Sequence, residues 1–150
     1  MVRCEGLTSR PPGVRTLPAP PPLLVTVPAT VHNATALRRT FRRWAEALVD
    51  DDTADDLTLV VYEALANAAE HAFTTQQEPG SMWLHASIAD DEVLITITDN
   101  GTWRTPDTLP GHRGRGLPLI HQLTTHAHLQ LDPQGTTVRL RHQLPPQRAD

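Results

Sequence analysis

The chain has 150 residues, a length that fits one domain with a modest hydrophobic core. Its 13 Lys and Arg against 17 Asp and Glu give a formal net charge of −4. This charge argues against direct nucleic-acid binding, because proteins of that class carry a basic excess. No apolar run reaches the ~20 residues that cross a bilayer, no signal peptide is visible, and Cys4 has no second cysteine to pair with. The sequence therefore favours a cytoplasmic protein without a membrane partner.

Composition divides the chain into three parts. Residues 1–22 are rich in proline, which supplies no amide donor, so we expect a disordered tail there. Residues 23–144 carry the periodic apolar patterns of one folded domain, and residues 145–150 are expected to be a loose C-terminal tail.

The first half of the domain is predicted to hold one strand and two helices. Leu23 to Val27 reads as a strand, and apolar residues at helical spacing predict a helix from about Val31 to Val49. Thr53 and Asp56 resemble a capping box, which predicts that a second helix begins near Ala54 and runs to about Phe73.

A basic stripe lies on the first predicted helix. Arg38-Arg39 and Arg42-Arg43 repeat at a spacing of four residues, which places them on one side of the helix. Two interpretations remain open: a solvated helix face, or a docking patch for an acidic protein partner.

The second half of the domain is predicted to be mainly strands. Residues 82–89 and 92–99 alternate between apolar and polar, with Asp90-Asp91 as the turn between them. A loop over 100–115, a short helix from Leu117 to Leu123 and strands at about 127–131 and 137–142, with Gly135 in their turn, complete the pattern. This order predicts an α+β fold, a two-layer sandwich of helices on one face of a mainly antiparallel sheet.

Three short motifs occur in a fixed order on these elements. In the second helix, Glu63 and Asn67 are one turn apart, so their side chains are neighbours. An Asn carbonyl oxygen is a hard ligand suited to Mg²⁺, and Glu63 can accept a proton beside it. Asp99 ends an apolar strand before Asn100-Gly101, where a carboxylate can accept a hydrogen bond from an exocyclic amine and glycine lets a flat ring approach.

The third motif opens the short predicted helix. Gly114-Arg115-Gly116-Leu117 places glycines at a helix N-terminus, where the backbone can approach a phosphate. Arg113 and Arg115 can add charge-assisted contacts to the same anion.

Together these motifs resemble the GHKL (Bergerat-fold) ATP-binding superfamily. Within this superfamily, the local sequences around Glu63 and Gly114 resemble those of the anti-sigma-factor serine/threonine kinases of bacteria. The resemblance covers about residues 23–144. The resemblance implies a Bergerat-type sandwich, with ATP and Mg²⁺ as cofactors.

The resemblance also implies roles for individual residues. Glu63 matches the general base, Asn67 the Mg²⁺ ligand, and Asp99 with Gly101 the adenine-binding pair. Residues 102–113 match the lid over the nucleotide. The remaining nucleotide contacts implied by the resemblance are Arg113, Gly114, Arg115, Gly116, Leu117 and Thr137.

The expected function is an ATP-binding anti-sigma regulatory factor with serine/threonine protein kinase activity toward an anti-sigma-factor antagonist. The partners implied are a sigma factor and that antagonist, and relatives often form homodimers. Trp103 and a short lid depart from the family pattern, which leaves open a nucleotide-binding module that sequesters a partner without phosphoryl transfer. The ATP-binding domain of a histidine kinase is a weaker alternative, because no helical hairpin carries an acceptor histidine.

Overall fold

The computed structural model describes residues 19–71, 80–101, 126–132 and 135–145. Within these residues, two α-helices lie on one face of a five-stranded antiparallel sheet, so the predicted α+β sandwich is confirmed. The predicted short helix from Leu117 to Leu123 lies outside the described residues. Among the described residues, no helix is both long and apolar enough to span a membrane.

The described elements follow the chain order expected from the sequence, apart from the short helix at Leu117 to Leu123, which the described residues do not include. The strand order in the sheet is β1-β2-β3-β5-β4, with every neighbouring pair antiparallel. The elements are β1 (Leu23–Pro28), α1 (Val31–Glu46), α2 (Asp51–His71), β2 (Ser81–Ala89), β3 (Glu92–Asp99), β4 (His126–Asp132) and β5 (Gly135–Gln143).

The hairpin between β2 and β3 is the one predicted at Asp90-Asp91. Both residues adopt positive φ, 51° and 60°. This is the backbone of a two-residue turn whose twist matches that of the flanking strands, and Asp tolerates it better than most residues.

Alternation in the strands decides which face of the sheet is buried. Val93, Ile95 and Ile97 of β3 face the helices and are buried, as the pattern predicted. Leu84 lies opposite Ile97 in the register, and Leu140 lies opposite Ile95, so one apolar layer crosses three strands. Helix α2 packs on β2 and β3, while α1 packs on α2 and β1.

Helix α2 begins earlier than predicted, and its cap is a different residue. The Thr53–Asp56 capping box is wrong: α2 begins at Asp51, and Asp50 is the capping side chain. Asp50 Oδ1 accepts from the Thr53 amide at 2.8 Å, and its Oδ2 accepts from Thr53 Oγ1 at 3.0 Å. These hydrogen bonds lower the pKa of Asp50, the Thr53 amide contributing most. In both the predicted and the observed cap, a polar side chain satisfies free amides at the helix N-terminus. The observed first turn begins three residues earlier in the chain than predicted.

Helix α1 ends at Glu46 rather than near Val49, and a hydrogen-bonded turn follows. The amides of Leu48 and Val49 both bond to the Ala45 carbonyl, at 2.9 and 3.1 Å. Pro21, within the predicted tail, accepts a hydrogen bond from Trp44 Nε1 at 2.9 Å. Residues 1–18 and 146–150 lie outside the described residues, so the predicted tails stay predictions.

Two of the four arginines in the predicted basic stripe make contacts within the molecule. Arg42 joins the helices, because its Nε lies 2.7 Å from Asp55 Oδ1 of α2 and its guanidinium also contacts Glu46. The Arg38 guanidinium lies 5.2 Å from the centroid of the Tyr62 ring, a cation–π contact. These two arginines therefore hold α1 on α2, in contrast to both interpretations made from the sequence.

Candidate functional site

Helix α2 presents the first pair of predicted site residues. Ala64 and Ala68 are buried against the sheet, and they fix the orientation of the helix. Glu63 precedes Ala64 and is half-buried, while Asn67, one turn later, is exposed. The helix thus carries a carboxylate and an amide side by side at the border of its buried face, as predicted.

Asp99 is the buried acidic residue of the candidate site. It ends β3 on the helix-facing side and is 7% exposed. Its Oδ1 accepts a hydrogen bond from the Gly101 amide at 3.0 Å, and the Thr136 amide donates to the same carboxylate. Burial raises the pKa of Asp99 to about 6, against the lowering effect of these two amides. The carboxylate is therefore fixed in direction, and its ionised form is held at neutral pH by backbone donors.

Asn100 closes the end of the sheet beside this carboxylate. Its Oδ1 accepts from the Ser81 amide at 2.7 Å, and its own amide bonds to the Ser81 carbonyl at 3.3 Å. Since Ser81 begins β2, these bonds tie the start of β2 to the end of β3. The turn at Asp99-Asn100-Gly101 is thus both structural and part of the candidate site.

Gly135 lies directly against this strand end. A Cβ atom added there would lie 2.0 Å from the Asp99 carbonyl oxygen, a distance no side chain tolerates. The sequence placed Gly135 in a turn, but it is the first residue of β5. Because Gly135 has no side chain, the two backbones can approach closely, and this approach brings the Thr136 amide to the Asp99 carboxylate.

The register of β5 with β3 places Thr136, rather than the predicted Thr137, on the same face of the sheet as Asp99. Thr136 pairs with Asp99 and lies on its face of the sheet, whereas Thr137 pairs with Thr98 on the other face. Residues that pair directly across antiparallel strands share a face, so Thr137 points away from the Asp99 side, contrary to its predicted role as a nucleotide contact. Counting back in steps of two from the apolar Leu140 would have selected Thr136 from the sequence.

A shallow pocket of about 440 Å³ is present at this end of the sheet. Asp99, Asn100 and Gly135 line it together with residues that include Trp83, Thr98 and Thr137, of which Thr98 and Thr137 lie on the face opposite Asp99. The site predicted from the motifs is on the helix side, and part of it lies outside the described residues. We take the helix side as the candidate site, because the chemically distinctive residues Glu63, Asn67 and Asp99 are there.

Several predicted site residues lie outside the described residues. These are the lid over 102–113 and the phosphate-side residues Arg113, Gly114, Arg115, Gly116 and Leu117. Within the described ranges, no three His, Cys, Asp or Glu side chains are grouped as metal ligands. The donors present fit a nucleotide-bound Mg²⁺, which takes few protein oxygens and completes its octahedron with phosphates and water.

Comparison with known proteins assigns the fold to a family. The model of the histidine kinase-like ATPase domain family matches residues 27–142. The serine-protein kinase RsbW of Bacillus licheniformis is 28% identical over 115 residues, which cover 66% of this chain and 70% of that protein.

Solved structures agree. The crystal structure of the RsbU and RsbW domains of Rv1364c from Mycobacterium tuberculosis superposes with a TM-score of 0.67 and 28% identity over 83% of this chain, which spans 32% of that longer chain. The histidine kinase domain of Erythrobacter litoralis EL346 shares the fold at 20% identity, with a TM-score of 0.56, covering 79% of this chain and 62% of its own. The chain belongs to the histidine kinase-like ATPase domain family.

Proposed function

We propose that the chain is an ATP- and Mg²⁺-binding anti-sigma regulatory factor that phosphorylates a serine or threonine of an antagonist protein. The observation that carries this proposal is a buried, backbone-oriented Asp99 at the end of β3, with Glu63 and Asn67 on α2, the helix that packs on β2 and β3. Membership of an ATPase domain family and similarity to a serine-protein kinase support it.

In the proposed site, Asp99 fixes the nucleotide base. A carboxylate that already accepts two backbone amides has lone pairs left, so it can accept the exocyclic amine of adenine. Burial lowers the competition from water for this hydrogen bond. The small side chains of Ala64 and Ala68 let the nucleotide and the sheet approach the helix closely.

Glu63 and Asn67 act at the other end of the nucleotide. The amide oxygen of Asn67 is the proposed Mg²⁺ ligand, and the metal, when bound, supplies charge stabilisation to the phosphates. Glu63 takes the proton of the attacking hydroxyl while the new oxygen–phosphorus bond forms and the bond to the β-phosphate oxygen breaks, which releases ADP. Its place one turn from Asn67 brings base and metal ligand to one locus.

The sigma factor and the antagonist are proposed as the protein partners on the strength of the family resemblance. Arg39 and Arg43 are exposed on α1 and have no ion pair within the described ranges. They remain available to an acidic partner, unlike Arg38 and Arg42, which contact α2.

The direct test is transfer of labelled γ-phosphate from ATP to candidate antagonists. We expect Glu63→Gln to bind ATP like the parent chain but to transfer phosphate at least ~100-fold more slowly, the contribution typical of a general base. Glu46→Gln, an exposed glutamate on α1, is the matched control and is expected to transfer normally.

Two results would count against this proposal. Transfer by Glu63→Gln at the parental rate would remove Glu63 from the base role. ATP that binds but stays intact with every candidate antagonist would favour the module that sequesters a partner without phosphoryl transfer.

A further inference from the structure

The backbone leaves the sheet directly after Asp99, and the side chain of the next residue takes part in this. Met82 and Asp99 form the last pair of the ladder between β2 and β3. One residue further, the Asn100 amide bonds to the Ser81 carbonyl at 3.3 Å. In a continued antiparallel ladder the Ser81 amide would bond to a backbone carbonyl in return. Instead it donates to the side-chain Oδ1 of Asn100 at 2.7 Å, so this side chain takes the place of a backbone acceptor.

This contact allows the chain to turn back toward the Asp99 carboxylate. Because the Asn100 side chain bonds to Ser81, the Asn100 backbone does not have to continue the strand. The next amide, that of Gly101, donates to Asp99 Oδ1 at 3.0 Å, a contact between residues two apart that is typical of an Asp turn. The direction of the buried carboxylate therefore depends on where Asn100 holds the turn.

Ser81 is a rigid anchor for this turn. The residue before it, Gly80, accepts a hydrogen bond from the Ala29 amide at 2.7 Å, and the residue after it, Met82, is fully buried. Ala29 is also fully buried, between the end of β1 and the start of α1. Asn100 thus connects a turn at the surface to the part of the core where β1, β2 and α1 meet.

The Asn100 side chain contributes to this connection and not to the core. It is exposed, so its removal leaves no cavity, and water can accept from the Ser81 amide in its place. We therefore expect Asn100→Ala to keep the fold and to lose the fixed position of the turn. A group that holds a binding residue in its productive orientation raises affinity, because that residue need not be ordered when the ligand binds.

We infer that Asn100 is a positioning residue for nucleotide binding: by accepting from the Ser81 amide, it holds the turn that directs the Asp99 carboxylate at the base. This inference rests on the proposed function, in which Asp99 accepts the exocyclic amine of adenine. Asn100 acts through the Gly101 amide and Asp99 rather than by touching the nucleotide.

The test uses two measurements on the full chain. They are the affinity for ATP with Mg²⁺, by calorimetry at about pH 8, and the titration of the Asp99 carboxyl, by NMR without nucleotide. We expect Asn100→Ala to bind ATP ~5-fold or more weakly, the order of one net hydrogen bond. We also expect a higher pKa for Asp99 in this variant, because the Gly101 amide lowers that pKa in the parent and is no longer held in place. A merely structural residue would leave the titration of Asp99 unchanged.

Asp50→Ala is the matched control. It also removes a side-chain acceptor from a backbone amide, at 2.8 Å from the Thr53 nitrogen, but at the start of α2. We expect this variant to bind ATP, and to titrate at Asp99, like the parent.

The outcomes separate this inference from the proposed function. A parent chain that binds no ATP would overturn both. If the parent binds ATP, then parental affinity or a parental Asp99 titration in Asn100→Ala would overturn the positioning role alone. Equal weakening of ATP binding in Asp50→Ala would also overturn it, because the loss would then follow stability and not the position of the turn.

Discussion

Asp99 combines burial with an ionisable side chain, and its protonation is therefore coupled to folding. Burial raises its pKa from an ordinary value of 3.8 to about 6. The folded chain binds this proton more tightly than the unfolded chain, so the carboxylate destabilises the fold above pH 6, and this cost disappears as pH falls. The use proposed for this charge is adenine recognition.

The first prediction compares the parent with Asp99→Asn in urea unfolding at several pH values. Relative to the Asn variant, the stability of the parent should rise by up to roughly 3 kcal/mol as pH falls from about 7 to about 4. The comparison cancels the other carboxylates, including Asp50, whose lowered pKa acts in the opposite direction. A difference that stays flat with pH, or shrinks as pH falls, would contradict the raised pKa.

The second prediction concerns Gly135. Gly135→Ala should destabilise the chain by about 2 kcal/mol or more, because the new Cβ would overlap the Asp99 carbonyl oxygen and two backbones must separate. Thr137→Ala, two residues along the same strand, should cost less than ~1 kcal/mol. Equal midpoints for Gly135→Ala and the parent in thermal unfolding would show that the close approach is absent.

At the scale of elements, sequence patterns predicted existence and type better than boundaries. Alternation in residues 82–99 gave both strands and their inward faces, because burial of one face leaves a period of two. The start of α2 was missed by three residues, since Asp50 and Thr53 are both competent caps and sequence spacing alone does not choose between them.

The third prediction separates these two caps. Asp50→Ala should lower stability by about 1 kcal/mol, because the Thr53 amide loses its acceptor at 2.8 Å. Asp56→Ala removes the acidic residue of the rejected capping box and should change stability by less than ~0.5 kcal/mol. If urea unfolding showed a larger loss of stability in Asp56→Ala than in Asp50→Ala, the result would support the Thr53–Asp56 capping box instead.

At the scale of the whole molecule, the two-layer architecture could be predicted because helices and strands are segregated along the chain. Contacts between elements could not be predicted from the sequence. The pairing of Arg42 with Asp55 and of Arg38 with Tyr62 depends on how α1 crosses α2, which no single-element pattern encodes. The choice between Thr136 and Thr137 likewise depends on the register of β5 with β3.

In the candidate site as well, motif residues could be predicted from the sequence, whereas roles that depend on contacts between elements could not. Glu63, Asn67 and Asp99 were predicted from motifs, and the structure places them on α2 and at the end of the neighbouring β3. The roles of Gly135 and of the Thr136 amide emerged only from tertiary contacts.

The central claim is that a purine nucleotide binds against Asp99 while its metal is held by Asn67. Calorimetry of ATP binding to the full chain, with and without Mg²⁺, tests it most directly. We predict that the parent binds ATP more tightly with Mg²⁺ and that Asn67→Ala loses this metal dependence but still binds adenosine like the parent. An absence of ATP binding by the parent, or an unchanged Mg²⁺ dependence in Asn67→Ala, would contradict the account.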